Sequence, residues 1–501
     1  MKSSKCLAYA CMWFLFLVVL SGMFIYTEAL ADTSQSILIE STFPDANFQS
    51  FIRSNYDTDT DGYLSHAEVE AAVDMDCSDQ NISSLTGIEV FTSLRTLVCS
   101  NNQLTALDLK NSPALVALEC SKNQLIELDV SECANLKNLY CFDNPLEVLN
   151  VKGCVNLREF QTSTANLTSL DVSDCIKLER LFCSNNQLTG LDVSGHTALT
   201  TLYCNHNQLT SLDVTGCSAL NELRCYTNRL TDLDLTGCSS LTYLSSSNNF
   251  LTSLNLTPCP AVNVVYCNAN QLSSVDIHSC SSLNQFQCSR NRLADLDVSG
   301  LQNLTQLYCV YNQLTDLDIS SLINLKELSC FSNQLVDLDV SSCKKLVSLY
   351  CHSNRITDLD ISDNPVLSYV CEEGNQTVEN NIITFRLNEG LVSIDETVSL
   401  LRLEKTTVLP SSLSVIEEDS FANTSFVKVV IPDSVQIIRN RAFADCPSLC
   451  AIVFSKASVT IEEDAFSGST NMTIIAPGEG SLQAYAAANH IPFFAAGNVT
   501  H

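Results

Sequence analysis

From Leu94 onward the apolar positions of this 501-residue chain recur on a fixed beat. Leu94, Leu97, Cys99, Leu104 and Leu107 are apolar, with Asn102 set among them. Cys99, Cys120 and Cys141 lie 21 residues apart, and the same register returns at Cys183, Cys204, Cys225, Cys267, Cys288, Cys309, Cys330 and Cys351. Asparagine follows each three residues later, from Asn102 to Asn375, and 14 registers fit between 94 and about 376. Leu97 and Cys99 are two apart, so they share one side of a short strand and face the interior, while Thr96, Val98 and Ser100 face out. Asn102 turns the chain and offers its side chain to backbone groups that the turn leaves unpaired. A period of 21 leaves no room for a full outer helix, so the Leu107-Asp108-Leu109 type of segment is expected to be extended. One copy cannot bury its apolar face alone; stacked copies can.

The pattern Leu-x-x-Leu-x-Cys-x-x-Asn-x-Leu is that of a leucine-rich repeat with Cys in one Leu place. It resembles the 21-residue cysteine-containing repeats of internalin J-type surface proteins across 94–376, with departures at Thr162, Ser246 and Glu372. The resemblance implies a curved, right-handed solenoid of the α/β type, mostly β with short outer segments, that adheres to host or neighbouring-cell surfaces. After Asn375 the register stops, and a period of 22 to 23 begins at Leu409-Pro410, Ile416 and Phe421, followed by Ile431-Pro432, Ile438 and Phe443. This stretch and its ending through Tyr485 and Pro492 resemble the BspA-like leucine-rich repeat over 407–493, which implies a surface or secreted protein of a host-associated microbe.

The segment 57–68, Asp-Thr-Asp-Thr-Asp-Gly-Tyr-Leu-Ser-His-Ala-Glu, fits the EF-hand calcium loop at each ligand place. Asp57, Asp59 and Asp61 would coordinate directly, Tyr63 through its carbonyl, Ser65 through water, and Glu68 with both oxygens. Gly62 sits at the sharp turn, and 43–55 and 65–73 are expected to supply flanking helices. The alternative is a solvated acidic loop. A small helical EF-hand cap stiffened by calcium suits a solenoid, whose ends need a lid.

Charge and cysteine narrow the partners. The formal net charge is −30, which argues against nucleic acid, whose binding rests on neutralised phosphates. Lys2, Lys5, an apolar run over 7–26 and Ala29-Leu30-Ala31 read as a signal peptide over 1–31, with an uncleaved anchor as the alternative. No later segment is apolar enough to span a membrane, so the expected location is extracellular, secreted or on a bacterial cell surface. The 25 cysteines fit disulfides poorly, because a straight ladder about 4.8 Å apart exceeds the usual Cβ separation. They read as small buried thiols, as does a second column at Cys133, Cys154, Cys175, Cys217, Cys238, Cys259, Cys280 and Cys343. Metal binding by them is the alternative, although no CxxC pair or Cys/His cluster occurs. So many thiols imply a reducing habitat. Cys446 and Cys450 are i,i+4, read as free thiols with a disulfide as the alternative.

The domain plan is thus 1–31 signal peptide, 32–93 cap, 94–376 repeats, 377–406 transition and 407–501 BspA-like repeats. Function is expected on the concave face. Tyr140, Phe182, Tyr203, Tyr266, Tyr308 and Tyr350 share the Val98 column, and Tyr243 and Tyr369 share that of Thr96. Phe142, Tyr226 and Phe331 share the Ser100 column, and Tyr311 follows one place later. Strand propensity alone would place tyrosines there; exposed contiguous rings also mark interfaces, for a protein or a glycan. The repeated Asp column, from Asp108 to Asp360, needs relief from like charge, by hydrogen bonds to the turn or by a calcium ladder. No catalytic constellation emerges, so the expected function is non-enzymatic recognition, with a structural scaffold role as the alternative.

Overall fold

The computed structural model describes residues 36–371, 384–386 and 406–495, apart from 132, 357, 362, 365, 368, 410–412, 425, 471 and 479. Strand residues 358, 369–371, 384–386, 406 and 408 are described by backbone alone. The signal segment and most of 377–406, with Glu372 and Asn375, lie outside the described residues. The chain divides into two compact units, Met1–Leu220 and Asn221–His501.

The first unit opens with helices Ile39–Thr42, Ala46–Asn55 and His66–Ala71. The helix expected over 43–55 begins three residues later because Pro44 and Asp45 interrupt it. Asp45 caps it instead, its carboxylate accepting from the Asn47 and Phe48 N–H groups at 2.9 Å. The helix expected over 65–73 is shorter for a similar reason: Ser65 is its cap, in a capping box with Glu68. Phe43, Phe48 and Phe91 are fully buried and pack ring to ring.

Seven parallel strands follow in this unit: Asp74–Asp76, Thr96–Val98, Ala117–Glu119, Asn138–Tyr140, Glu159–Gln161, Arg180–Phe182 and Thr201–Tyr203. The stack therefore begins one coil before residue 94. Pairing is locked to the sequence repeat: Thr96 lies opposite Ala117, Leu97 opposite Leu118 and Val98 opposite Glu119. Leu97 and Cys99 are fully buried, as are Leu118 and Cys120 in the next coil. The return path is extended, and Glu127–Asp129 pairs with Val148–Asn150 while Gly190–Asp192 pairs with Ser211–Asp213.

The second unit repeats the plan with eight parallel strands, from Glu222–Arg224 to Tyr369–Cys371. A second parallel sheet of seven strands then carries the longer repeats. It starts on the return side: Asp358–Asp360 pairs with Thr384–Arg386, and the sheet continues through Thr406–Val408 to Phe493–Ala495. Phe421, Phe443 and Phe466 stack beneath it at 5.1 and 5.5 Å. Each unit is thus a β-solenoid of stacked parallel strands.

Two buried polar columns hold the coils. In the second unit Asn291 donates to the Cys267 and Cys288 carbonyls at 3.0 and 2.9 Å and accepts from the Leu272 N–H at 3.0 Å. Asn270 and Asn312 do the same for their own coils. The residue before each asparagine takes a left-handed backbone, at φ 54° for Ala269, 57° for Arg290 and 53° for Tyr311. The 22 cysteines whose side chains are described are all free, and among them only Cys450 is exposed. Burial pushes the Cys141, Cys183, Cys225 and Cys267 thiols up to about 12. The return-path column does more than fill space: Cys217 and Cys154 donate to the Val193 and Val130 carbonyls at 3.1 and 3.3 Å. His196 and Asn364 stand in the same column and meet the Val172 and Val340 carbonyls at 3.2 and 2.8 Å.

Candidate functional site

The outward face of the front strands in each unit carries the rings, each described ring half-buried against its neighbours except Tyr311, which is more exposed. In the first unit Tyr140, Phe182 and Tyr203 project from the last residues of their strands, and Phe142 lies two places beyond Tyr140. Phe182 and Tyr203 meet edge to face at 4.9 Å, the arrangement that ring quadrupoles favour. Between the rings lie charges that the sequence pattern alone did not single out. Arg180 pairs with Glu159, and Arg158 pairs with Glu179. Burial, then the hydrogen bond to Glu159, pushes the Tyr140 phenol up to about 12.

In the second unit Tyr243 and Tyr266 meet edge to face at 5.7 Å, and the Arg224 guanidinium lies 5.2 Å from the Tyr243 ring centre. Tyr226, Tyr308 and Tyr350 line the same sheet. Burial, then the hydrogen bond to Glu327, raises the Tyr308 phenol. Further along, Arg290 lies 5.0 Å from the Tyr311 ring, Tyr311 meets Phe331 at 5.4 Å, and Phe331 stacks on His352 at 4.1 Å. Tyr311 occupies the left-handed turn beyond the strand and is 47% exposed. The Tyr369 side chain lies outside the described residues.

The 57–68 loop brings carboxylates together. One oxygen each of Asp57, Asp59 and Asp61 lies within 4.8 Å of the others. Asp57 accepts from the Asp61 and Gly62 N–H groups at 3.1 Å, which bends the loop around it. Gly62 takes φ +84°, a conformation glycine adopts without a Cβ penalty. Glu68 folds back over the loop and accepts from Thr58 and Ser65, through backbone and hydroxyl at each. Burial disfavours its charge, but those four hydrogen bonds outweigh it and hold the carboxyl down at about 2. Tyr63 and Leu64 form an antiparallel pair with Ile37–Leu38, a partner that the motif did not announce.

The repeated Asp column is relieved locally. The hydroxyls of Ser320 and Ser341, then the backbone N–H groups of the same residues at 2.9 Å, donate to Asp318 and Asp339 and lower both carboxyls. His278 bridges Asp276 and Asp297 at 3.0 and 2.9 Å.

Coils of 21 residues, an asparagine ladder and a leucine core define a leucine-rich-repeat solenoid. The model for BspA type leucine rich repeats matches 379–487, starting within the stretch read as a transition, and a leucine rich repeat model matches 176–214, 197–237 and 323–364. Internalin J of Listeria monocytogenes serotype 4b (strain F2365) is 35% identical over 70 residues, which is 14% of this chain and 8% of that protein. The structure described as the functional domain of InlJ from Listeria monocytogenes, including a cysteine ladder, aligns at TM-score 0.59 and 26% identity, over 87% of this chain and 88% of that one. A PEPR1–AtPEP1 crystal structure shares the fold alone, at TM-score 0.55 and 17% identity over 85% of this chain and 66% of that one. The chain is an internalin-like leucine-rich-repeat protein. Among the described residues, no helix is long and apolar enough to cross a membrane.

Proposed function

We propose that this is a secreted or surface-exposed bacterial binding protein without catalytic activity, which grips a protein ligand with the ringed outward face of its parallel sheets. The observation that carries this is the alignment of half-buried rings on the outward face of successive strands, with Phe182 set edge to face against Tyr203. Rings already ordered by their neighbours lose little freedom on binding, which is what an interface anchor needs. Internalin-like proteins act as interaction modules, and the InlJ likeness supports the same use here. The 57–68 loop supports calcium as the resident ion: hard oxygen donors converge there, and Gly62 makes the turn. Asp57, Asp59, Asp61 and Glu68 would hold it, with the Tyr63 carbonyl and Ser65 completing the set.

The test is binding of the full chain to host-cell surface proteins, measured by surface plasmon resonance on the captured ligand. Phe182→Ala and Tyr203→Ala should each weaken binding about 30-fold, the effect of losing an interface anchor of about 2 kcal/mol. Val336→Ala, at an exposed site away from these rings, should leave it unchanged. Equal affinity for all three variants would refute the assignment of this face.

A further inference from the structure

We infer that four successive strands of the second unit form a platform for an uncharged oligosaccharide. The strands Tyr243–Ser245, Val264–Tyr266, Gln285–Gln287 and Gln306–Tyr308 are neighbours in register. Three positions per strand on this face, the first and last strand residues and the one two places further on, hold only tyrosine, glutamine, asparagine, serine and valine, with Ser245, Ser289 and Val310 buried beneath the others. Not one carries a carboxylate or a cation, in a chain of net charge −30. Charge returns only around the platform: Glu222 and Arg224 pair at 2.6 Å on one side, Glu327 stands on the other, and Arg290 sits at a turn. The charges that border the platform are already engaged, Arg224 by Glu222 at 2.6 Å and Glu327 by Gln306 at 3.2 Å, so a phosphate, sulfate, sialic acid or basic peptide would find no free counter-charge among those positions.

The amides are held in place. Tyr266 Oη donates to Gln285 Oε1 at 2.8 Å, and Asn268 Nδ2 donates to Gln287 Oε1 at 3.0 Å. Asn268 is itself fixed, its Oδ1 accepting from the Ser289 N–H at 2.8 Å and its own N–H donating to Ser247 Oγ at 3.0 Å. With their carbonyl ends engaged, the Nε2 groups of Gln285 and Gln287 keep both protons for an incoming acceptor, and neither has a protein acceptor among the described residues, whereas Gln306 Nε2 donates to Glu327 at 3.2 Å. Tyr266, Gln287 and Tyr308 are successive partners in one column, so two rings flank one amide at about 4.8 Å per strand.

A sugar ring presents C–H faces to aromatic surfaces and hydroxyls to amides, and this alternation of ring and amide offers both. Tyrosine serves both ligand classes, but the Trp, Phe and Met that protein interfaces also concentrate are absent from the platform. Phe182, Phe331 and Phe142 all lie elsewhere. The inference rests on the reading that the outward face binds macromolecules, and assigns this part of it a ligand class.

The test is an array of neutral hexose and N-acetylhexosamine oligomers beside their sialylated and sulfated counterparts, probed with the full chain, then titration calorimetry on the best neutral binder. Gln287→Ala and Tyr308→Ala should weaken that binding tenfold or more, with circular dichroism unchanged, while Val336→Ala, at an exposed site outside the platform, leaves it intact. Retention of neutral-glycan binding by both platform variants, preference for the anionic oligomers, or no glycan binding would each overturn the inference. So would a protein ligand whose capture depends on Gln287 and is not competed by neutral oligomers. Loss of glycan binding alone leaves the proposed protein ligand standing, since that is read separately through Phe182 and Tyr203.

Discussion

A single asparagine per coil does the work that a helix or a long loop does elsewhere. Asn291 satisfies two carbonyls and one N–H in a space closed to water. Leaving a buried backbone group unpaired costs about 1–3 kcal/mol. Asn291→Ala is therefore expected to cost about 3 kcal/mol or more, read as a lower urea midpoint; a loss under about 1 kcal/mol would mean that water or a shifted backbone replaces the amide. The first cysteine column has the opposite character. Its members serve as small apolar volume, and Ser246, in the same column, buries a hydroxyl that finds no partner among the described residues. The return-path column tolerates His196 and Asn364 because each, like the thiol, can meet the carbonyl of an earlier coil.

At the scale of the element, the turn after each return strand and the N-terminal loop both rest on carboxylates. In the second unit the Ser320, Ser341 and Thr236 hydroxyls and N–H groups hold Asp318, Asp339 and Asp234 below the ordinary aspartate range. A folded-state pKa below the unfolded one gives stability that is present above the unfolded value and lost as pH falls through the folded one. Thermal midpoints should accordingly fall as pH drops from about 5 to 3, with Ser341→Ala flattening part of that dependence; because these groups are exposed, each contributes little and the effect accumulates over the column. The loop at 57–68 adds a second dependence. Tyr56 precedes Asp57, rests its ring 5.7 Å from Phe91 and donates to the Asp74 carbonyl, so the loop abuts the first strand of the sheet. Millimolar calcium should raise the melting temperature of the full chain, and Glu68→Gln should remove most of the rise while keeping the capping geometry. An identical rise in the variant would place the ion elsewhere.

For the molecule as a whole, the thiols report on folding. Burial raises their pKa and hides them, so maleimide at pH 8 should label Cys450 well before any other described cysteine, with the remainder reacting only on unfolding. Rapid labelling of several thiols in the native chain would contradict the close stacking of coils. Much of this was legible in the residues alone, because a repeat writes its own contact map. The 21-residue spacing set the strand register, Leu97 and Cys99 set the buried side, and Asp57 to Glu68 announced their loop. Three-dimensional packing decided what no spacing encodes. The stack began at Asp74, and the longer repeats joined the return strand Asp358–Asp360 rather than the front sheet. Packing also determined which outward positions became a charged, ringed surface and which a neutral one of oriented amides. Those outcomes depend on neighbours 19 to 26 residues away competing for the same hydrogen bonds, and local sequence carries the partners but not the winner.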